Sequence, residues 1–242
     1  MARFFAEDGD IGEKISLKGD NFHHGAKVLR LKPGDEITVC DGKGKDYSAL
    51  VEQILKDEII CEITDISSNG AESEVKVTLF QGLPKGEKLS FICEKCVEAG
   101  VSQIVPVSLS RCVVRLKPSE FEKKKERFQK IVLSAAKQSG RGEIPTVGSL
   151  LTLDEVLARK DEFDLFLFPY EMAEERSLKA ALENFTGKKI ALIIGPEGGF
   201  SPEEAEKIEK SGIPPVSLGK RILRTETAGL CTLFNIFYEL EQ

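Results

Sequence analysis

The sequence predicts an α/β fold in which a parallel sheet covered by helices follows a smaller, strand-rich domain. From Val75 onward, short apolar runs alternate with amphipathic segments, which is the pattern of a parallel sheet buried on both faces. The first 72 residues instead hold closely spaced β-rich runs and a glycine-marked hairpin signal. The chain has 242 residues, 41% hydrophobic and 31% charged, which allows one large domain or two small ones with ordinary cores.

The N-terminal domain is predicted over residues 1–72 as a small closed β-barrel with one short helix. Two β-rich runs flank the turn Asp41-Gly42-Lys43-Gly44, and a third follows as DEIICEITDI. The segment DNFHHGAKVLRL, which precedes them, is typical of a short helix. Residues 67–73 have the small, polar composition of a linker, which places the domain boundary after residue 72.

The C-terminal domain, predicted over residues 73–242, alternates strands and helices. Its strand-like apolar runs are VKVTLFQGLP, SQIVPVSL, FDLFLFPY, KKIALIIGP and PPVSLGKRI. A long basic helix after Pro118 places Phe121, Phe128 and Val132 on one face. Apolar strands of this length separated by helices predict a parallel sheet with helices on both faces.

Charge and cysteine content narrow the class of function. The net charge of −6 resides in residues 1–72, whereas the segment from Arg111 to Gly142 holds ten Lys and Arg against three Asp and Glu. A concentrated basic segment favours contact with nucleic acid, although composition alone slightly favours a solvated helix face. The six cysteines have no disulfide-framework spacing, and no apolar run is long enough to span a bilayer, so a cytoplasmic protein is predicted.

Neither the histidines nor the cysteines predict a metal site. His23 and His24 are the only histidines and are adjacent, so on a helix their side chains point about 100° apart. Cys93 and Cys96 form a C-x-x-C pair without a second pair of ligands, so small buried residues are the favoured interpretation.

Two glycine-marked turns give the strongest chemical signal. IGPEGGFSPEE (194–204) and LGKRILRTETA (218–228) each follow a buried strand, and such strand ends build ligand crevices at one edge of a parallel sheet. The first turn lacks a phosphate-binding motif, and its helix is expected to begin with Ser201 as N-cap, Pro202 next and Glu204 completing a capping box. These residues leave few N–H groups for a phosphate. The pattern therefore favours a neutral or cationic adenosine-type ligand, of which S-adenosylmethionine, a sulfonium cation without a phosphate, is an example, and it disfavours a nucleotide-dependent enzyme.

The second turn carries two arginines whose role is open. Arg221 and Arg224 precede Thr225, which the pattern favours as N-cap of the C-terminal helix. Surface charge and contact with phosphate or a second subunit fit the arginines equally well. Arg141 stands between two glycines after the basic helix and is expected to be accessible, and arginine is a preferred partner of phosphate and planar bases.

Six segments, taken in order, resemble the RsmE family of 16S rRNA (uracil-N3)-methyltransferases in the SPOUT superfamily. They are Arg3-Phe4-Phe5, HHGAKVLRLKPGD (23–35), EKCVEAGVSQIVPV (94–107), RFQKIVLSAAKQSGR (127–141), IGPEGGFSPEE (194–204) and LGKRILRTETA (218–228). Lys137 stands where many relatives have glutamate. The combination covers essentially the whole chain and is far more specific than any single segment.

The resemblance implies a fold, an activity and partners. Residues 1–72 would form a PUA-like β-barrel that binds RNA, and residues 73–242 a SPOUT-type parallel sheet whose last segments thread a C-terminal trefoil knot. Family members are homodimers that transfer a methyl group from S-adenosylmethionine to N3 of one uridine in 16S rRNA. The implied partners are 16S rRNA or the assembled small ribosomal subunit, with no membrane and no metal.

The resemblance also implies the residues of the site. The knot loops would hold the cofactor through Phe168, Pro169, Tyr170, Glu171, Gly195, Pro196, Glu197, Gly198, Gly199, Leu218, Gly219, Ile222, Leu223, Arg224, Thr225, Thr227 and Ala228. RNA contacts are implied for Arg3, His24, Arg30, Arg115, Lys124, Arg141 and Arg221.

The chemistry requires a proton acceptor, because uracil N3–H is a weak acid that must lose its proton before N3 attacks the methyl group. The catalytic candidates are Glu197, Glu226 or a water that they hold, with Arg224 or Arg141 stabilising the uracilate charge. The choice among them stays open.

Two alternatives to uridine-N3 methylation remain. One is a SPOUT methyltransferase that acts on the ribose 2′-oxygen of RNA. The other is a non-catalytic rRNA-binding assembly factor, for which the barrel and the basic segment suffice but which leaves the knot loops unexplained.

Overall fold

The computed structural model describes residues 2–7, 9–173 and 175–241, and the chain divides into two compact units. The N-terminal unit comprises residues 1–72 together with 136–144, and the C-terminal unit comprises residues 73–135 and 145–242. Within the described ranges, no helix combines the length and the apolarity that crossing a bilayer requires.

The N-terminal unit contains a curled, mainly antiparallel sheet. Its described elements are β1 (Ala2–Phe5), β2 (Ile15–Leu17), α1 (Gly19–His23), which continues into a π-helical turn (His24–Leu29), β3 (Glu36–Cys40), β4 (Lys45–Ile54) and β5 (Ile59–Ser68). The strand order is β1-β3-β4-β5-β2, with β1 parallel to β3 and the other pairs antiparallel. The predicted hairpin joins β3 to β4, and Gly42 and Gly44 adopt the positive φ values of 70° and 97° that such a turn needs.

The sequence predicted a closed barrel for this domain, but the observed sheet is open. Among the described residues, β1 and β2 form the two edges of the sheet, which makes it a curled half-barrel. Register shifts in β4, at Ser48/Ala49 and Val51/Gln53, produce the bend. The concave face is filled by fully buried side chains such as Ile37 and Val39, which alternate along β3 as the period of a strand requires.

Residues 136–144 belong to the N-terminal unit through a buried ion pair. Arg141 is only 4% exposed, and its Nε lies 2.8 Å from Oε1 of Glu72. The same oxygen accepts hydrogen bonds from the backbone N–H groups of Gly142, at 2.8 Å, and Glu143, at 3.0 Å. The expected accessibility of Arg141 is therefore wrong, because a buried carboxylate distant in sequence neutralises its charge.

The C-terminal unit is built on a parallel sheet, as the sequence predicted. In the described part of this unit the strands are β6 (Lys76–Gly82), β7 (Gln103–Ser108), β8 (Thr146–Val147), β9 (Leu151–Thr152), β10 (Leu165–Pro169), β11 (Lys189–Ile194) and β12 (Pro215–Val216). The helices are α2 (Lys88–Glu98), α3 (Pro118–Gln138), α4 (Leu153–Ala158), α5 (Leu178–Leu182), α6 (Pro202–Lys210) and α7 (Thr225–Leu240), with a 3-10 turn at Lys160–Glu162. Every observed strand pairing in this sheet is parallel.

The strand order β12-β10-β11-β6-β7-β8 explains where a ligand crevice forms. The chain runs outward from β6 through β7, then crosses to the other side of β6 to add β10, β11 and β12. Parallel sheets bind ligands at the carboxyl ends of their strands, where such a change of direction separates neighbouring loops. The central strands are buried on both faces, so only their ends are available for chemistry.

Candidate active site

A cavity of about 650 Å³ opens at the carboxyl ends of β6, β10, β11 and β12. This volume is in the range of sites that enclose a small organic ligand. The cavity is lined by Lys85, Lys88, Pro169, Tyr170, Glu171, Ile194, Gly195, Pro196, Glu197, Gly198, Gly199, Phe200, Ser217, Leu218, Gly219, Lys220, Arg221, Ile222, Leu223, Arg224, Thr225 and Ala228. Three loops that follow β10, β11 and β12 thus supply most of the wall.

Most of the cofactor residues implied by the sequence meet at this cavity, but two do not. Phe168 is fully buried, and it stacks on Tyr170 at 5.3 Å between ring centroids and packs edge-on against Phe200 at 5.0 Å. It therefore supports two wall residues from behind. Thr227 is also absent from the lining, and its backbone N–H donates to the carbonyl of Arg224 inside the first turn of α7.

The glycine-rich turn after β11 has no room for side chains. Gly199 has φ +66°, and a Cβ built there lies 3.0 Å from Oε1 of Glu171. A Cβ on Gly195 would lie 3.1 Å from the backbone carbonyl carbon of Gly199. The turn is therefore folded tightly on itself and presents backbone rather than side chains to the cavity.

The capping box predicted at the start of α6 is confirmed. Ser201 Oγ accepts the N–H of Glu204 at 3.2 Å, and Glu204 Oε2 accepts the N–H of Ser201 at 2.9 Å. Pro202 occupies the first turn, and the second carboxylate oxygen of Glu204 accepts the N–H of Ser110 at 2.6 Å. The end of the helix that phosphate-binding folds use is therefore already satisfied by the protein.

Thr225 is not the N-cap of α7, contrary to the sequence prediction. Arg224 occupies that position, with no side-chain cap, and Thr225 is the first helical residue. The Thr225 hydroxyl is buried and donates to the carbonyl of Gly195 at 2.6 Å, while Gln81 Nε2 donates to the Thr225 hydroxyl at 2.8 Å. The Thr225 hydroxyl therefore bonds to a carbonyl of the neighbouring loop and does not cap the backbone of its own helix.

Gln81 is a residue that the sequence analysis missed. It is fully buried at the end of β6, and its Nε2 also donates to the carbonyl of Gly82 at 3.0 Å. The available signal was a lone amide after the apolar residues Leu79 and Phe80 near the end of β6, because a buried polar group needs a hydrogen-bond partner. Gln81 links the end of β6 to the start of α7 beneath the cavity.

A charged cluster at the cavity contains both candidate carboxylates. Lys88 Nζ lies 3.2 Å from Oε1 of Glu197 and 3.1 Å from Oε2 of Glu226. Burial alone would raise the pKa of each carboxyl, but hydrogen bonds from its own backbone N–H and from Lys88 outweigh burial and lower it. Glu197 lines the cavity. Glu226 is not among the lining residues, but it is ion-paired with Lys88, which is. Lys88 was missed in the sequence, although it follows β6 at the same edge of the sheet.

The candidate RNA contacts of the N-terminal unit differ in exposure. Arg3 is engaged on both Nη atoms by Asp46, at 2.9 and 2.8 Å, and also donates to the carbonyl of Arg141 at 3.1 Å. His24 and Arg30 are exposed, and Arg30 adopts φ +56°, in the left-handed region that is rare for side-chain-bearing residues. His24 and Arg30 are therefore accessible, whereas Arg3 and Arg141 hold the unit together.

The candidates of the C-terminal unit are all exposed. Arg115 turns its guanidinium back onto the carbonyls of Leu109 and Ser110. Lys124 lies on the exposed side of α3, and Arg221 lines the mouth of the cavity.

No arrangement of ligands for a metal ion is found in the described ranges, where groups of three or more His, Cys, Asp or Glu are absent. Cys93 and Cys96 are buried on α2, and burial raises the pKa of the Cys93 thiol to about 12. These thiols are protonated at neutral pH and pack as small apolar groups.

Comparison with known proteins agrees with this architecture. Residues 71–236 match the family described as an RNA methyltransferase domain, and residues 17–64 match the RNA methyltransferase PUA domain. A half-barrel unit and a parallel-sheet unit with a loop-built cavity, in one chain, thus define the class of PUA-containing RNA methyltransferases.

Individual relatives narrow the class further. The ribosomal RNA small subunit methyltransferase E of Bacillus subtilis is 33% identical and aligns with 100% of this chain and 98% of its own. The crystal structure of the protein of that name from Neisseria gonorrhoeae, bound to S-adenosylmethionine, is 32% identical with a TM-score of 0.81 and coverage of 98% and 97%. A putative methyltransferase from Legionella pneumophila, also with bound S-adenosylmethionine, is 30% identical with a TM-score of 0.82 and coverage of 98% and 96%. The chain belongs to the ribosomal RNA small subunit methyltransferase E family, which confirms the resemblance read from its six segments.

Proposed function

We propose that this protein transfers a methyl group from S-adenosylmethionine to N3 of a specific uridine in the 16S rRNA of the small ribosomal subunit. The observation that carries the proposal is the cavity built from the loops after β10, β11 and β12, in a chain related over its full length to ribosomal RNA small subunit methyltransferases. Two structural relatives hold S-adenosylmethionine, which supports the choice of cofactor.

The cavity fits this cofactor on three physical grounds. Its volume of about 650 Å³ suits an adenosine-sized molecule. Its glycine turn offers backbone N–H and C=O groups at close range, which can bind an adenine edge without charged side chains. The helix that follows the glycine turn, α6, has its N-terminus filled by its own capping box at Ser201, so a phosphate gains little there. When bound, S-adenosylmethionine supplies an electrophilic methyl group on a positively charged sulfur.

The protein's own residues would orient the uracil and manage its proton. Arg224 lies exposed at the cavity wall, where its guanidinium can stabilise the negative charge that develops on the uracil ring. Glu197 and Glu226 have lowered pKa values, so both are ionised at neutral pH and are weak bases toward uracil N3–H. We assign removal of the N3 proton to a water held by these carboxylates, which relays the proton to a carboxylate and from there to solvent. The target uridine must be unpaired, because N3 lies on its base-pairing edge.

We also propose that the C-terminal segments form a trefoil knot. Support comes from the path of the chain after β11, which passes β10 and pairs as β12 on its far side. The segment that follows β12 then returns to the turn after β11, where Thr225 is hydrogen-bonded to Gly195. A threaded crossing of this kind brings the three cofactor loops together.

We further propose that residues 1–72 bind RNA and residues 73–242 carry the transferase. Exposed His24 and Arg30 are the RNA contacts that we assign to the first segment, and Arg115, Lys124 and Arg221 those of the second. Because the substrate is ribosomal, the protein would act in the cytoplasm on 16S rRNA or on the assembled small subunit.

A homodimer is the assembly that we propose. The C-terminal unit exposes large apolar side chains that a second copy would cover, among them Phe91 on α2 and Phe234 and Tyr238 on α7. Helices α2 and α7 pack against each other, so these side chains belong to one helical layer. Sedimentation equilibrium checks this: a monomeric wild type at micromolar concentration contradicts it.

The decisive experiment is methyl transfer from labelled S-adenosylmethionine to free 16S rRNA and to small subunits lacking the modification, followed by nucleoside analysis. Formation of 3-methyluridine is expected. A 2′-O-methylated nucleoside would establish the ribose alternative instead. If calorimetry detects no S-adenosylmethionine binding while RNA still binds, the protein is a non-catalytic assembly factor.

A further inference from the structure

Lys88 occupies a position at the cavity that neither the sequence motifs nor the proposed roles explain. It is the first residue of α2, and its ammonium lies between a carboxylate from the β11–α6 turn, Glu197, and one from α7, Glu226. Its side chain is 27% exposed and lines the cavity. One cation therefore joins three separate segments at the wall where methyl transfer would occur.

Several charged residues surround Lys88 and its two carboxylate partners. Glu197 Oε1 also accepts the backbone N–H of Lys85 at 3.2 Å, and Arg224 lies close enough to Glu226 to lower the pKa of its carboxyl. Glu87, the residue before Lys88, is directed elsewhere, to Arg127 and to the hydroxyl of Ser90.

Two carboxylate oxygens of this cluster, Glu197 Oε2 and Glu226 Oε2, are buried without a hydrogen-bond donor in the described part of the chain, but Glu226 Oε2 is ion-paired with Lys88 at 3.1 Å, which leaves Glu197 Oε2 for a further contact. A buried oxygen of an ionised carboxylate is costly without a donor. The other oxygen of Glu197 is held by Lys88 and by the N–H of Lys85, which fixes the direction of the carboxylate.

We propose that Lys88 is a positioning residue for methyl transfer: its ammonium holds the Glu197 and Glu226 carboxylates side by side, keeps both ionised, and leaves Glu197 Oε2 to accept a hydrogen bond from the uracil or its water. This inference rests on the proposed function. It differs from a purely structural ion pair because it makes the ionisation of Glu197 depend on Lys88.

The physical reason is repulsion between like charges. The two carboxylate oxygens lie within 3.2 Å of one nitrogen and hence within about 6 Å of each other, where like charges shift each other's pKa. Without the ammonium, the pair would bind a proton at a higher pH than it does in the wild type. The protonated carboxyl would then donate rather than accept a hydrogen bond at the uracil.

The test compares Lys88→Met, which keeps the length of the side chain but removes its charge, with Lys88→Arg, which keeps the charge. Carboxyl carbon NMR titrates Glu197 and Glu226 in the full-length protein, without any substrate. In Lys88→Met we expect the pKa of one of these carboxyls to rise by at least about one unit. Lys88→Arg should restore the wild-type titration.

The same variants are assayed for methyl transfer to small subunits as a function of pH. Activity requires both carboxylates to be ionised, so it falls as the pH drops through their pKa values. A raised pKa therefore moves the acid limb of kcat/KM to higher pH in Lys88→Met by about one unit, so activity on that limb is about tenfold below wild type at the same pH, whereas activity at neutral pH changes little. Lys95→Met is the matched control, since Lys95 lies on the same helix and pairs with Glu94 and Glu98.

A second variant keeps the test informative if Lys88→Met unfolds. In Lys88→Met/Glu226→Gln the repulsion is removed together with the cation, so the pKa of Glu197 should return toward its wild-type value. Unchanged carboxyl titrations in Lys88→Met, or a pH profile that superimposes on wild type with only the melting temperature lowered, would overturn the proposal. If wild type shows the expected coupling but never methylates RNA, the proposed function fails while the coupling stands.

Discussion

Arg224 is a proposed catalytic residue whose side chain does not hold the fold together. Its guanidinium is exposed at the cavity wall, and only its backbone carbonyl takes part in α7, where it accepts the N–H groups of Thr227 and Ala228. Replacing the side chain leaves that helix start intact.

We expect Arg224→Ala to lower kcat/KM by about 10²–10³-fold, because a positive charge aimed at a developing anion is lost. The melting temperature should stay close to that of wild type. Kinetics on small subunits and thermal unfolding check this. Lys210→Ala, which removes an exposed cation of α6, is the matched control. Near-normal activity of Arg224→Ala would remove Arg224 from the proposed site.

Glu72 differs from Arg224 because its side chain is buried and stabilises the fold of the N-terminal unit. Burial alone would raise the pKa of its carboxyl, but hydrogen bonds from Arg141 and from the backbone N–H groups of Glu143 and Gly142 outweigh this and lower it. A carboxyl whose pKa is depressed on folding stabilises the protein above its unfolded pKa, and this contribution is lost as the pH falls through the folded pKa.

We therefore expect the free energy of unfolding of the N-terminal unit to fall as the pH drops below about 4.5. Glu72→Gln should cost about 3–5 kcal/mol at pH 7, because Arg141 is left buried without its counter-charge, and should flatten the acid dependence. Hydrogen exchange of β1 and β3 amides in denaturant, measured at several pH values, tests both. Glu62→Gln, at an exposed site on β5, should change neither.

Thr225 and Gln81 connect secondary-structure elements rather than act as isolated groups. The hydrogen bonds from Gln81 to Thr225 and from Thr225 to Gly195 join the end of β6, the start of α7 and the turn after β11. Gly195 and Thr225 line the cavity and Gln81 is buried next to them, so their geometry fixes the backbone of the turn that would face the cofactor.

We expect Thr225→Val to reduce stability by about 1–3 kcal/mol, because it leaves the carbonyl of Gly195 without its donor and removes one of the two acceptors of the Gln81 amide. It should also weaken S-adenosylmethionine binding severalfold in calorimetry. Thr232→Val is the matched control, since Thr232 is equally buried but its hydroxyl donates only to the carbonyl of Ala228 within α7. Equal cofactor affinities for the two variants would show that the link does not shape the site.

The long helix α3 shows why charge composition alone is ambiguous. Several of its cations are paired: Lys125 with Glu122, Lys130 with Glu126, and Arg127 with Glu87 of the adjoining loop. Exposed pairs of this kind contribute little stability. The basic segment is therefore partly neutralised by its own surroundings, and Lys124 is the cation of the helix that we retain as an RNA contact.

At the scale of the whole molecule, the N-terminal unit is discontinuous in sequence. Residues 136–144 supply Arg141 to Glu72, and the carbonyl of Gly142 accepts a hydrogen bond from the thiol of Cys40 at 3.1 Å. A boundary drawn after residue 72 therefore separates the half-barrel from partners that it needs.

We expect the fragment 1–72 to be unfolded or barely stable, because losing the partner of a buried carboxylate costs about 3–5 kcal/mol, a large share of a small domain's stability. Joining residues 136–144 to it through a flexible linker should restore cooperative unfolding. Circular dichroism during urea titration compares the two fragments. Cooperative unfolding of 1–72 alone, with the stability of the joined fragment, would contradict the prediction.

The sequence by itself determined the α/β class, the parallel sheet, the capping box of α6, the turns that line the cavity and the family. These features follow from local spacing: strand and helix periodicity, a cap within one turn, and glycines at strand ends. The tertiary structure alone decided that Arg141 is buried, that Thr225 links elements instead of capping α7, and that Lys88 joins two carboxylates. Each of those side chains meets a partner dozens of residues away in the chain. Local pattern cannot specify such a partner, because burial and charge pairing depend on which distant segments the fold brings together.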